Sequence, residues 1–87
     1  MLTIGRLAEQ AGVPVSTVRY YERRGLLAPE ERSPSRYRLY GPAVLRRLRF
    51  IRAAQRSGFT LEDIRRILAL REQAALLQEP PIRLPGS

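Results

Sequence analysis

Two short apolar stripes on either side of Gly12-Val13-Pro14 constrain this chain more than any other feature. Ile4, Leu7, Ala8 and Ala11 recur at helical spacing behind Thr3, whose side-chain oxygen suits a helix N-terminus. Arg6 stands where a capping box would want Glu, so only half of that device is expected. Gly12 predicts the stop, Val13 a buried turn residue, and Pro14 the opening of a second helix from about Val15 to Arg24, with Gly25 as its left-handed terminator. Val15 and Val18 share the inward face with either Tyr21 or Glu22, which turns Ser16, Thr17, Arg19, Tyr20 and Arg23 outward. Tyr21 reads as mostly packed, whereas Tyr20 fits either core or surface. A helix, a tight glycine turn and a second short helix have helix-turn-helix spacing.

Beyond Leu26-Leu27 and a loop with Pro29, period-two alternation sets Arg36, Arg38 and Tyr40 against Tyr37 and Leu39 behind the turn residues Pro34-Ser35, a weak signature of a short β-hairpin. A third helix is expected from Gly41-Pro42 to Ser57 before Gly58, burying Val44, Leu45, Leu48, Ile51 and Ala54 or Gln55 and covering its other sides with Arg46, Arg47, Arg49, Arg52 and Arg56. Thr60-Leu61-Glu62-Asp63 is a capping box that uses Asp, and Ile64, Ile67, Leu68 and the stem of Arg71 continue the inward face of a fourth helix. Apolar periodicity fades near Leu77, and Pro80-Pro81 end any helix. The reading is mainly α with a small β-hairpin, a winged helix-turn-helix with two further helices: residues 1–71 form the domain, and 72–87 a short helical extension and a disordered tail.

The 87 residues suffice for one domain. They contain no Cys and no His, which removes disulfides, thiolate chemistry, the usual zinc sites and histidine-based acid–base catalysis. No carboxylates are paired as a glycosidase-like site would require, so no enzyme, metal or cofactor is expected. No apolar run is long enough to cross a bilayer and no leader precedes the first helix, so a cytoplasmic location with no membrane partner is expected.

The charge distribution points to a partner. All sixteen basic residues are Arg and the net charge is +8. A GC-rich genome accounts for the absence of Lys but not for where the charge sits. Residues 1–15 and 57–87 are each neutral, while residues 16–56 hold eleven Arg against Glu22, Glu30 and Glu31 and so contain the whole excess. A solvated surface would intersperse the two signs; concentration favours a polyanion, met by one convex guanidinium-rich surface. The outward face of the second helix offers small polar groups able to enter a major groove, and Arg interleaved with Tyr on the hairpin suits a phosphate backbone better than a merely solvated hairpin does.

Four blocks now stand in order: Gly12-Val13-Pro14-Val15-Ser16-Thr17-Val18-Arg19-Tyr20-Tyr21-Glu22-Arg23-Arg24-Gly25-Leu26, then Tyr37-Arg38-Leu39-Tyr40, then Leu48-Arg49-Phe50-Ile51, then Gly58-Phe59-Thr60-Leu61-Glu62-Asp63-Ile64. Together they resemble the DNA-binding domain of MerR-family transcription regulators, in one register from Thr3 to about Leu70. The resemblance implies a dimer on a pseudo-palindromic operator of double-stranded DNA, bent and untwisted at a promoter served by RNA polymerase. It implies base or phosphate contacts from Ser16 and Thr17, backbone contacts from Arg19 and Tyr20, a partly packed second aromatic at Tyr21, and wing contacts from Arg32, Tyr37 and Arg38, with Arg52 or Arg56 adding one from a second wing.

Three departures qualify it. Arg36 stands where the family usually has Gly, which either strains the wing or adds a cation to the contact set. Gly41 replaces the usual Ser cap of the third helix. The long dimerisation helix of the family cannot continue through Pro80-Pro81, so the chain is either one domain of a longer regulator or a short type that pairs by other means. The alternatives are an excisionase-like architectural or accessory DNA-binding factor without an effector response, and a protein-interaction module that has lost DNA binding; the concentrated +8 speaks against the latter.

Overall fold

The structure, a computed structural model, describes residues 1–32, 34 and 38–78. Its elements are α1 (Ile4–Ala11), α2 (Val15–Arg23), β1 (Glu31–Arg32), β2 (Arg38–Leu39), α3 (Pro42–Arg56) and α4 (Leu61–Gln78). The helix ends follow the residues that predict them. Thr3 Oγ1 accepts the Arg6 N–H at 3.4 Å, and Gly12, at φ 71°, turns the chain out of α1. Past α2, Gly25 takes φ 75°, so that its own N–H reaches the Glu22 carbonyl at 3.0 Å and that of Leu26 reaches Tyr21 at 2.9 Å. This crossed pair satisfies carbonyls that a helix end leaves open, and it needs a left-handed residue. Thr60 and Asp63 cap α4 reciprocally, each backbone N–H donating to the other's side chain at 3.1 Å.

Gly41 also finds its reason here. No side chain caps α3, but the Glu30 carboxylate lies against Gly41, where a Cβ would meet its oxygens at 2.5 Å. An anion at that helix end is favoured by the unsatisfied N–H groups, and the missing side chain makes room for it.

One core holds these elements together. Leu7 and Ala8 of α1, Val18 and Tyr21 of α2, Leu26, Tyr40, Leu48 and Ile51 of α3, and Ile64 and Leu68 of α4 are all buried. Each fully buried Leu or Ile side chain contributes roughly 1.5–3 kcal/mol relative to exposure. α1 packs on α2 and α3, and α3 packs on α4. The hairpin is antiparallel, with Glu31 opposite Leu39 and Arg32 opposite Arg38, and it is moored to the N-terminus by a bridge in which Leu2 and Tyr40 exchange backbone hydrogen bonds at 2.7 and 2.8 Å. Tyr40 is therefore buried in the core, although alternation grouped it with Arg38. α4 runs unbroken to Gln78, but residues 69–77 are exposed, Leu70, Leu76 and Leu77 among them. Residues 79–87, including the predicted Pro80-Pro81 stop and the tail, lie outside the described residues.

Candidate nucleic-acid interface

α2 is an amphipathic helix whose inner face is locked and whose outer face is open. Val18 and Tyr21 point into the core, and the Tyr21 hydroxyl donates to Gln55 Oε1 on α3, fixing the helix about its axis. Ser16 and Thr17 occupy its first turn, the former exposed and the latter half-buried. Arg19, Arg23 and Arg24 are exposed, and the Arg24 guanidinium lies over the Tyr20 ring at 5.8 Å. Tyr20 is 39% exposed, so it belongs to the surface.

Tyr21 does not. With 2% of its surface exposed and its hydroxyl donating to Gln55, it is packed in the core and not presented on the outer face as a predicted contact would be. It lies three residues beyond Val18, on the stripe that the core requires.

On the hairpin, Arg38 is 48% exposed and its Nη1 donates to Glu22 Oε1 at 3.3 Å. Tyr40 donates its hydroxyl to the other oxygen of the same carboxylate, Glu22 Oε2, at 3.0 Å. Burial, then the hydrogen bond to Glu22 and that residue's charge, raise the Tyr40 pKa above the ordinary phenol value, with Arg38 pulling weakly the other way. Arg32 stands opposite Arg38 in the ladder. Arg36 and Tyr37, both predicted to contact DNA, lie outside the described residues. Glu22 carried no assignment from sequence beyond sharing the inward stripe; the signal was an acid on that stripe amid arginines.

Of the arginines of α3, Arg46, Arg49 and Arg56 are exposed, whereas Arg47 is drawn into contacts inside the fold. Arg47 donates from Nε to the Leu26 carbonyl at 2.7 Å and from Nη1 to Glu72 of α4 at 2.5 Å. Arg46 and Arg47 line a groove of about 830 Å³ between the chain after α2, α3 and α4, together with Leu26, Phe50, Leu68 and Ala75. Arg49 turns away from Arg47 and donates to the Gln10 carbonyl at the end of α1 at 3.3 Å. Arg52, predicted as a second-wing contact, is half-buried on the side of α3 that also carries Arg49 and Arg56, away from Arg47. Arg47 thus helps close the fold, while Arg46, Arg49, Arg52 and Arg56, at i, i+3, i+6 and i+10, share one side of α3.

Comparison with known proteins places this geometry. The family model described as "MerR HTH family regulatory protein" matches residues 2–70. A mercuric resistance operon regulatory protein of Pseudomonas fluorescens is 41% identical over 87 aligned residues, covering 94% of this chain and 60% of that protein. Among solved structures, the transcription regulator PbrR691 from Ralstonia metallidurans CH34 in complex with lead(II) superposes with a TM-score of 0.79 at 43% identity, over 85% of this chain and 58% of that one. HiNmlR, a MerR-family regulator lacking the sensor domain and bound to promoter DNA, superposes with a TM-score of 0.73 at 25% identity, over 93% of this chain and 58% of that one. The chain therefore spans less than two thirds of these proteins. With a family model matched from α1 through the hairpin and α3 into α4, the chain belongs to the MerR family of helix-turn-helix regulatory proteins.

Proposed function

We propose that these residues read double-stranded DNA in a sequence-specific way, as the DNA-binding domain of a MerR-type transcription regulator. The observation that carries this reading is α2: its inner face is immobilised by Val18 and Tyr21, while its first turn offers Ser16 and Thr17 and its outer side Arg19, Tyr20 and Arg23. Small polar groups at the start of a helix enter a major groove, and guanidinium groups farther along hold phosphates. The neighbour bound to promoter DNA without a sensor domain supports promoter binding by a chain of this kind. Two copies on a pseudo-palindromic operator, distortion of that DNA, and action on RNA polymerase at a promoter in the cytoplasm complete the proposal. No helix among the described residues is long and apolar enough to cross a membrane. A metal-sensing role through thiolates is not open to these 87 residues, which contain no Cys. The relatives named above are operon and transcription regulators, which favours a regulator over an excisionase-like accessory factor or an enzyme.

Selection of bound sequences from a random duplex library tests the proposal. An inverted repeat with a deformable centre is expected. Direct repeats would favour the accessory factor, and absence of any enriched sequence would overturn sequence-specific reading.

A further inference from the structure

The two oxygens of the Glu22 carboxylate hold two residues of one strand. Oε1 takes Arg38 and Oε2 takes Tyr40, residues that stand i and i+2 on the chain and so share a side of the hairpin. Glu22 itself sits on α2, one position beyond the core residue Tyr21, and its side chain is only 11% exposed. A carboxylate on a DNA-reading helix would ordinarily oppose phosphates. Here it is almost covered, and it links α2 to the wing through its side chain.

From this arrangement we infer that Glu22 is a positioning residue for DNA binding: it sets the wing against α2 and aims Arg38 at the phosphate backbone. The inference rests on the DNA-binding reading proposed above. The wing needs such an anchor because its strands are two residues long, and a hairpin that short does not hold its place in water. Tyr40 secures the base of β2, buried and bridged to Leu2. Arg38 sits nearer the tip. The ion pair engages one of its nitrogens, yet nearly half of the side chain stays exposed, so the guanidinium can meet a phosphate while its stem is restrained. Restraint before binding removes part of the side-chain ordering that a free arginine would undergo on the DNA.

Two substitutions separate aiming from simple charge. Glu22→Gln keeps the length and removes the charge; Glu22→Asp keeps the charge and shortens the reach. The probe is a mixed-sequence duplex titrated at several salt concentrations, with thermal melting of each variant in parallel. Both variants are expected to bind about tenfold more weakly, a change of the size produced by losing one charged hydrogen bond. Both should also lower the slope of log affinity against log salt by about one, as loss of one phosphate contact does. Arg38→Gln should do the same, and adding Glu22→Gln to it should weaken binding no further, because the two residues act as one unit. Tighter or unchanged binding by Glu22→Gln together with wild-type binding by Glu22→Asp overturns the inference, as does weakening that follows the melting temperature with the slope intact. If Glu22→Gln fails to fold, Glu22→Asp and Arg38→Gln still decide: an unchanged slope in either overturns it. A wild-type protein that binds no duplex at low salt would instead overturn the DNA-binding reading itself.

Discussion

Arg19 and Tyr21 lie two positions apart on one helix and serve opposite sides of it. Arg19 is exposed on the outer face, and replacing it with Ala should weaken binding to every duplex alike and flatten the salt dependence by about one unit. Substitutions at Ser16 or Thr17 should instead change which sequence is bound most tightly, as selection from a random library would reveal. Tyr21→Phe keeps the buried ring and deletes the hydroxyl that Gln55 accepts, so it should cost about 1 kcal/mol of stability and leave the salt slope unchanged. A lowered slope in Tyr21→Phe would return that residue to the DNA. The sequence placed Tyr21 on the packed side but left Tyr20 open, because Tyr20 lies beside the apolar stripe of a short helix rather than on it. Nor did it identify the work of Glu22, since its partners Arg38 and Tyr40 are 16 and 18 residues away and a hydrogen bond across that separation leaves no local pattern. What was legible was the outward direction of Ser16, Arg19 and Arg23, which follows from Val15 and Val18 alone.

Helix boundaries were legible for a different reason: they are enforced by single residues. Gly25 holds φ 75° with open space around the position of an added Cβ, so Gly25→Ala meets no clash and acts through the backbone alone. A left-handed alanine costs roughly 1–2 kcal/mol, and denaturant titration should detect that loss. The cap of α4 adds a pH dependence. The hydrogen bonds from Thr60, backbone first and side chain second, hold the Asp63 carboxyl below its ordinary pKa. A group depressed in the folded state stabilises the fold above its unfolded pKa, and that contribution is lost as pH falls from the ordinary carboxylate range through the lower folded value. Asp63→Asn should therefore flatten the acid limb of the melting-temperature profile without abolishing it, because Arg65 holds Glu62 below its ordinary pKa as well. A wild-type acid limb in Asp63→Asn would deny the cap its role. The length of α4 was legible from apolar periodicity that fades near Leu77, although residues 69–77 are all exposed, so its last turns show in the sequence without joining the core.

At the scale of the molecule, the +8 charge was read from sequence as one phosphate-facing surface, and internal contacts withdraw Arg47 from it. Composition and order reveal how many guanidinium groups the central stretch contains but not how many remain available once α3 has closed against its neighbours. Arg47 is committed to Leu26 and Glu72, whereas Arg19, Arg23, Arg24 and Arg38 are exposed on α2 and the wing and Arg46, Arg49 and Arg56 are exposed on α3. With roughly four to six phosphates neutralised per copy, affinity should fall by about 10²–10³ between 50 and 200 mM salt. Had all eleven central arginines reached phosphate, the logarithmic slope would approach about −10 and the loss over the same interval would be roughly 10⁶. The measured slope per bound copy thus counts the arginines that face DNA. A value near the steeper limit would show that α3 releases its internal contacts on binding, and that the withdrawal of Arg47 seen in the free chain does not survive in the complex.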